Sequence, residues 1–165
     1  KSIYNMRFIA IAVSLILPVQ AFALSCIAPS VELSYAKAAS SEESYLIGKG
    51  KLIFDQTLMP RSTVGVDWPV EITRIPARVT GKAFDGTGFD QAFGVEVEMV
   101  VRCIQTWCPV ITSDKEHLVF LRETETNYQL AIDPCGGTAF PEPTPEMVDQ
   151  VLTCFKDKSC SADPS

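Results

Sequence analysis

Six cysteines, one histidine and a few acidic pairs are the residues of this chain whose types and spacing could do chemistry. Zinc sites usually present close Cys-x-x-Cys pairs or paired histidines. Here Cys103 and Cys108 are separated by four residues, Cys154 and Cys160 by five, and His117 is the only histidine. With Cys26 and Cys135 the count is even, so the cysteines read as three disulfides, and no metal or cofactor is expected. Six cysteines permit many pairings. The expected set is Cys26 with Cys135, Cys103 with Cys108, and Cys154 with Cys160. In the chain-entropy view the long loop closed by Cys26 contributes about 4–5 kcal/mol, more than either short loop.

Catalytic readings are poor. A nucleophile needs a base within reach, and His117 abuts the apolar run Leu118-Val119-Phe120 with no nucleophile motif beside it, so it reads as a surface or strand-edge histidine. Thr106-Trp107-Cys108-Pro109 looks like half a redox site, but disulfide exchange of that class needs Cys-x-x-Cys, and position 111 is Ile111. A tryptophan packed on a structural disulfide is the expectation. Asp85-Gly86-Thr87-Gly88-Phe89-Asp90 lacks the ligand spacing of a calcium loop and reads as a hairpin turn. Cys135-Gly136-Gly137-Thr138 has no following lysine and is not a phosphate cradle. Glu96 and Glu98, two apart, share one strand face that is expected to be solvated. No enzyme activity is expected.

The elements that must position these residues begin behind a leader. Arg7 opens into the apolar run from Phe8 to Leu17, followed by Pro18 and Ala21-Phe22-Ala23. This is the pattern of a secretory signal peptide over residues 1–23, too short to remain as a membrane span. Residues 1–5 read as an extension upstream of a frame that starts at Met6. Cleavage after Ser25 is the alternative to cleavage after Ala23. Residues 24–165 form one domain of about 140 residues, enough to bury a core. The net charge of −6 argues against a nucleic-acid partner.

Pro29 to Ala39 holds helix formers behind a Ser30 cap and predicts a short helix. Tyr45–Phe54 predicts a strand whose glycines mark a bulge or a sharp bend. Residues 56–69 read as a loop. Alternation from Glu71 to Lys82, interrupted by Pro76, predicts a bent or edge strand, and Gly94–Ile104 has the cleanest period of two. His117–Arg122 and Tyr128–Ile132 predict a hairpin. Thr144-Pro145-Glu146 is a strong helix start, and Val148, Val151, Leu152 and Phe155 would pack one face of a helix over about 144–158 on the strands.

Cys26 close behind a leader, five strands with one bent, Cys108 about ten residues before Leu118-Val119-Phe120-Leu121, and Cys135 after the next strand make the chain resemble the tissue inhibitors of metalloproteinases and netrin modules. The similarity spans roughly Cys26 to Cys135 and is nearest to uncharacterised bacterial members of that group. It implies a mainly β, five-stranded OB-like Greek-key barrel with a short N-terminal and a C-terminal helix, stapled by disulfides.

It also implies inhibition of a zinc metalloprotease through the mature N-terminal cysteine, a role that falls on Cys26, with Ile27 entering the specificity pocket. An α-amine with pKa about 8 is partly neutral at physiological pH and can take zinc's open position. The family opens with Cys-x-Cys, whereas Ala28 stands at the second position here. Start at Leu24 would bury the amine in a peptide bond; start at Cys26 would free it. Ala23-Leu24-Ser25-Cys26 also reads as a degraded lipobox, and acylation of Cys26 would tether the domain to the outer membrane. The expectation is therefore an exported monomer, periplasmic or extracellular, that binds a protein partner either as a metalloprotease inhibitor or as a non-inhibitory interaction domain.

Overall fold

The computed structural model describes residues 26–62, 72–158 and 160. The expected leader over 1–23, both expected cleavage positions and residues 63–69 of the expected loop lie outside the described residues. Ser30 caps the first helix, α1 (Val31–Ala39), by accepting the Leu33 amide at 3.1 Å. The chain then runs through β1 (Tyr45–Phe54), β2 (Ile72–Phe84), β3 (Phe89–Arg102), β4 (Lys115–Glu123), β5 (Tyr128–Ile132), β6 (Ala139–Pro141) and α2 (Pro145–Asp157). In α2 Pro145 sits in the first turn, where its missing N–H costs nothing, and Thr144 caps the Met147 amide. A 3-10 turn at Gln56–Leu58 occupies the start of the expected loop.

Strands pair in the order β1-β2-β3-β5-β4, and β4 returns to β1, so five strands close a ring; β6 adds to β4. The protein is mainly β, with two helices and three disulfides, Cys26–Cys135, Cys103–Cys108 and Cys154–Cys160. All pairings are antiparallel except β3 with β5.

β4 and β5 form the expected antiparallel hairpin, closed by the Thr124 amide on the Asn127 carbonyl at 2.8 Å, but a short one. Only Arg122↔Gln129 and Glu123↔Tyr128 pair between them, while β5 lies parallel to β3 from Val97↔Tyr128 to Val101↔Ile132. Crossing to β3 closes the ring and buries Leu130 and Ile132 inside it. β2 is an edge strand nowhere beyond Pro76, since β1 and β3 flank it from Ala77 to Ala83. Pro76 is tolerated because the last β1–β2 pair is Phe54↔Ala77, leaving Pro76 with a neighbour only in β3. β3 starts five residues before the expected strand and ends at Arg102. β6, three residues long and ending in proline, has no periodicity to announce it.

Two apolar clusters hold the fold. Leu52, Ile75, Val79, Met99, Leu121 and Leu130 fill the ring. On the outside of β4, Leu118 and Phe120 pack with Val31 of α1, Phe140 of β6 and Val151 of α2. Hence His117 to Leu121 are buried on both faces. In α2 the buried positions are Val151 and Cys154, whereas Phe155 is 46% exposed and sets its ring edge-on to Phe84 at 5.2 Å. The β1 glycines do not mark a bulge against β2, because the β1–β2 register runs unbroken past Gly48 and Gly50. Gly50 faces Gly81 so closely that neither position has room for a Cβ, and Phe93 lays its ring over Gly48.

Candidate functional site

Among the described residues, the segment Cys26-Ile27-Ala28-Pro29 is both exposed and tied down. Its first residue is tied to Cys135, 109 residues away in sequence. Cys135 is fixed in turn by Asp133, whose Oδ1 accepts the amides of Cys135 at 2.8 Å and Gly136 at 3.2 Å. Gly136 and Gly137 continue with φ of 72° and 100°, a left-handed path that favours glycine. Pro29 seats on this turn: a Cβ at Gly136 would meet its Cγ at 3.4 Å. Ser30 then enters the helix cap. Held at both ends, the segment presents Ile27 with 81% of its surface exposed. An apolar side chain that is exposed on a rigid backbone can enter a partner's pocket with little ordering cost.

Depressions lie on both sides of this ridge. One, about 650 Å³, is bordered by Cys26, Pro29, Ile111, Lys115, His117 and Phe140. The other, about 710 Å³, is bordered by Ile27, Leu33, Lys37, Arg102, Arg122 and Gln129. Val110, 95% exposed, also lines the first, so a second apolar tip stands near the ridge. Nothing in its short apolar run Val110-Ile111 marks it as exposed in the sequence; only its place between β3 and β4 does so.

The other candidate residues separate from this site or change character. His117 is not at a surface or strand edge: it is 1% exposed, inside the ring, paired with Gly50 on one side and Pro141 on the other. The phase of β4 could have located it, since His117, Val119 and Leu121 alternate on one face. Burial holds its pKa below the ordinary imidazole value, only partly offset by the Lys115 carbonyl that Nδ1 contacts at 3.0 Å. Trp107 is 50% exposed, in the tight loop closed by Cys103–Cys108, where Ile104 and Trp107 exchange backbone hydrogen bonds of 2.8 and 3.0 Å.

Glu96 and Glu98 do share an outward face, but each is paired, with Arg78 and Arg74 respectively. Glu98 also accepts from Gln129 Nε2 at 2.8 Å, and Arg122, bonded to Gln129, donates to Glu43 at 2.6 Å. These half-exposed pairs knit strands together at a gain of about 0–1 kcal/mol each and engage both carboxylates with arginines. Asp85 is occupied as well. Its Oδ1 accepts from the Thr87 hydroxyl at 2.7 Å, the Thr87 amide at 2.8 Å and the Gly88 amide at 3.0 Å, which together hold its carboxyl below the ordinary range. It shapes the β2–β3 turn, with Gly86 at φ 95° against the Phe155 ring.

Comparisons with protein-family models, with curated proteins and with solved structures give no match to this chain.

Proposed function

We propose that the protein is an exported, disulfide-stapled binding module of OB type that engages a protein partner through the ridge Cys26–Pro29, with inhibition of a zinc metalloprotease as the specific activity. The observation that carries this reading is the pinning of Cys26 by Cys135 beside the 81% exposed Ile27. The ring order β1-β2-β3-β5-β4-β1, with its parallel β3–β5 contact, supports the OB-like Greek-key assignment. The three disulfides support an oxidising destination, periplasmic or extracellular.

In this reading the free α-amine and carbonyl of Cys26 take the open coordination position of the partner's zinc, and Ile27 fills the adjacent apolar pocket. The partner supplies the metal; this chain supplies a chelating group already held in place. A specific feature favours a second reading. Ala28 replaces the second cysteine that anchors the ridge in the inhibitor family, and in its place Pro29 on the Gly136–Gly137 turn fixes the segment. A ridge fixed this way also serves a partner without zinc.

The experiment is inhibition of a panel of zinc metalloproteases by two forms of the folded protein, one beginning at Cys26 and one retaining Ser25. The chelating mechanism predicts inhibition by the first and its loss in the second. Equal behaviour of the two overturns chelation.

Ile27→Glu separates binding from stability. Because the side chain is 81% exposed, the unfolding midpoint stays where it is in the parent. Burying a carboxylate in an apolar pocket weakens partner binding by about 2 kcal/mol, roughly thirtyfold. Inhibition constants or calorimetric titration beside a urea melt read both quantities. An unchanged affinity would remove Ile27 from the interface.

A further inference from the structure

His117 is the one buried polar side chain among the described residues, and its Nε2 has no hydrogen-bond partner. Nδ1 lies 3.0 Å from the Lys115 carbonyl. A carbonyl only accepts, so Nδ1 carries the proton of the neutral ring and Nε2 presents its lone pair, buried and with no protein donor beside it. That state is tolerable. The imidazolium is not, since Nε2–H would become a buried donor on a buried charge with no acceptor beside it.

The element best placed to yield is β6. It meets β4 through only three pairs, His117↔Pro141, Leu118↔Phe140 and Val119↔Ala139, and two further backbone bonds flank it, Phe120 N–H to Thr138 at 2.8 Å and Glu142 N–H to Glu116 at 3.0 Å. On the other side β1 is locked to β4 through eight pairs. Few bonds and a short strand make β6 the low-stability edge.

We infer that His117 is an acid-sensitive latch whose protonation releases β6 from β4 and opens the depression beside the Cys26–Pro29 ridge. The charged groups that border this depression are Lys115 on β4, Asp133 after β5 and Glu142 after β6. Asp133 is engaged by the Cys135 and Gly136 amides, and Lys115 opposes a second positive charge. On β1, Gly50 faces the ring, while its neighbours Lys49 and Lys51 pair outward with Glu116 and Asp114. The 109–112 segment contributes no charge. Glu142 follows β6 and moves with it, so release lets the imidazolium meet water.

The open form binds the proton more readily than the closed form, so closure is complete above the ordinary imidazole value of 6.5 and is lost progressively as pH falls below it. The latch does not depend on what the ridge binds.

The test is amide hydrogen exchange on the full chain at about pH 8 and about pH 5, beside the imidazole signal, which needs no assignment because His117 is the only histidine. Protection of the Phe120 and Glu142 amides is expected to fall several-fold on acidification, tracking the imidazole, while β2–β3 amides keep theirs. The fall is expected to vanish in His117→Met. Unchanged protection, a fall shared by the β2–β3 amides, or one that persists in His117→Met overturns the inference. Should His117→Met not fold, the wild-type protein decides alone: loss of protection must share its midpoint with the imidazole titration.

Discussion

Gly81→Ala will unfold at much lower denaturant than the parent, with a loss of about 3 kcal/mol or more. A Cβ at Gly81 would overlap the carbonyl oxygen of Lys49 and stand 2.5 Å from the Cα of Gly50. Both obstacles are backbone, which cannot rotate aside as a side chain can. Gly50→Ala meets the same crossing from the other strand, where its Cβ would lie 2.8 Å from the Thr80 carbonyl carbon. The cost is that of prying β1 from β2 where their backbones approach most closely at the paired glycines. Gly94→Ala is the internal control. Its Cβ would meet only side-chain atoms, Thr80 Cγ2 at 3.4 Å and Arg78 Nη2 at 3.5 Å, so its change stays within about 1 kcal/mol and can be stabilising by restricting the unfolded chain. Urea melts of the three variants check the ranking. Equal effects at Gly81 and Gly94 would mean that the strands do not approach this closely.

Replacing Cys26 and Cys135 together by serine is the second large perturbation. The loop they close spans 109 residues, against 5 for Cys103–Cys108. Chain entropy then gives a loss of about 4–5 kcal/mol for the long bridge and about 2 kcal/mol for the short one. The consequence for function is larger still. Freed from Cys135, the segment ahead of Pro29 loses the anchor that makes Ile27 a fixed contact, so partner binding weakens beyond what lost stability explains. Melts and binding assays on the double variants Cys26→Ser/Cys135→Ser and Cys103→Ser/Cys108→Ser separate the two effects. Binding unaffected in the first would show that the ridge is held by Pro29 and α1 alone.

The strands were legible wherever one face is wet. Glu96 and Glu98 alternate with Val97 and Met99, and β3 follows from that alternation; Thr144-Pro145-Glu146 similarly marks the start of α2. The misreadings share a physical origin. Closure of the ring is encoded by no local pattern, so the hairpin of β4 and β5 is legible while the longer parallel pairing of β5 with β3 is not. Pro76 suggested an edge because a proline reports its own missing donor but not where the neighbouring strand stops. At His117 phase outweighs polarity: two residues before Val119 and four before Leu121, it faces inward with them. At the ridge, the even cysteine count made disulfides legible, whereas the seat of Pro29 on Gly136 and Gly137 depends on a contact across more than a hundred residues of chain.

The central claim is that Cys26 opens the mature protein and carries the ridge. Intact mass with N-terminal sequencing of the exported, unreduced protein tests it most directly. The account predicts a chain that begins at unmodified Cys26 and is lighter than its reduced form by two hydrogens for each of its three disulfides. A chain that begins at Leu24, or a Cys26 that carries lipid, would contradict it.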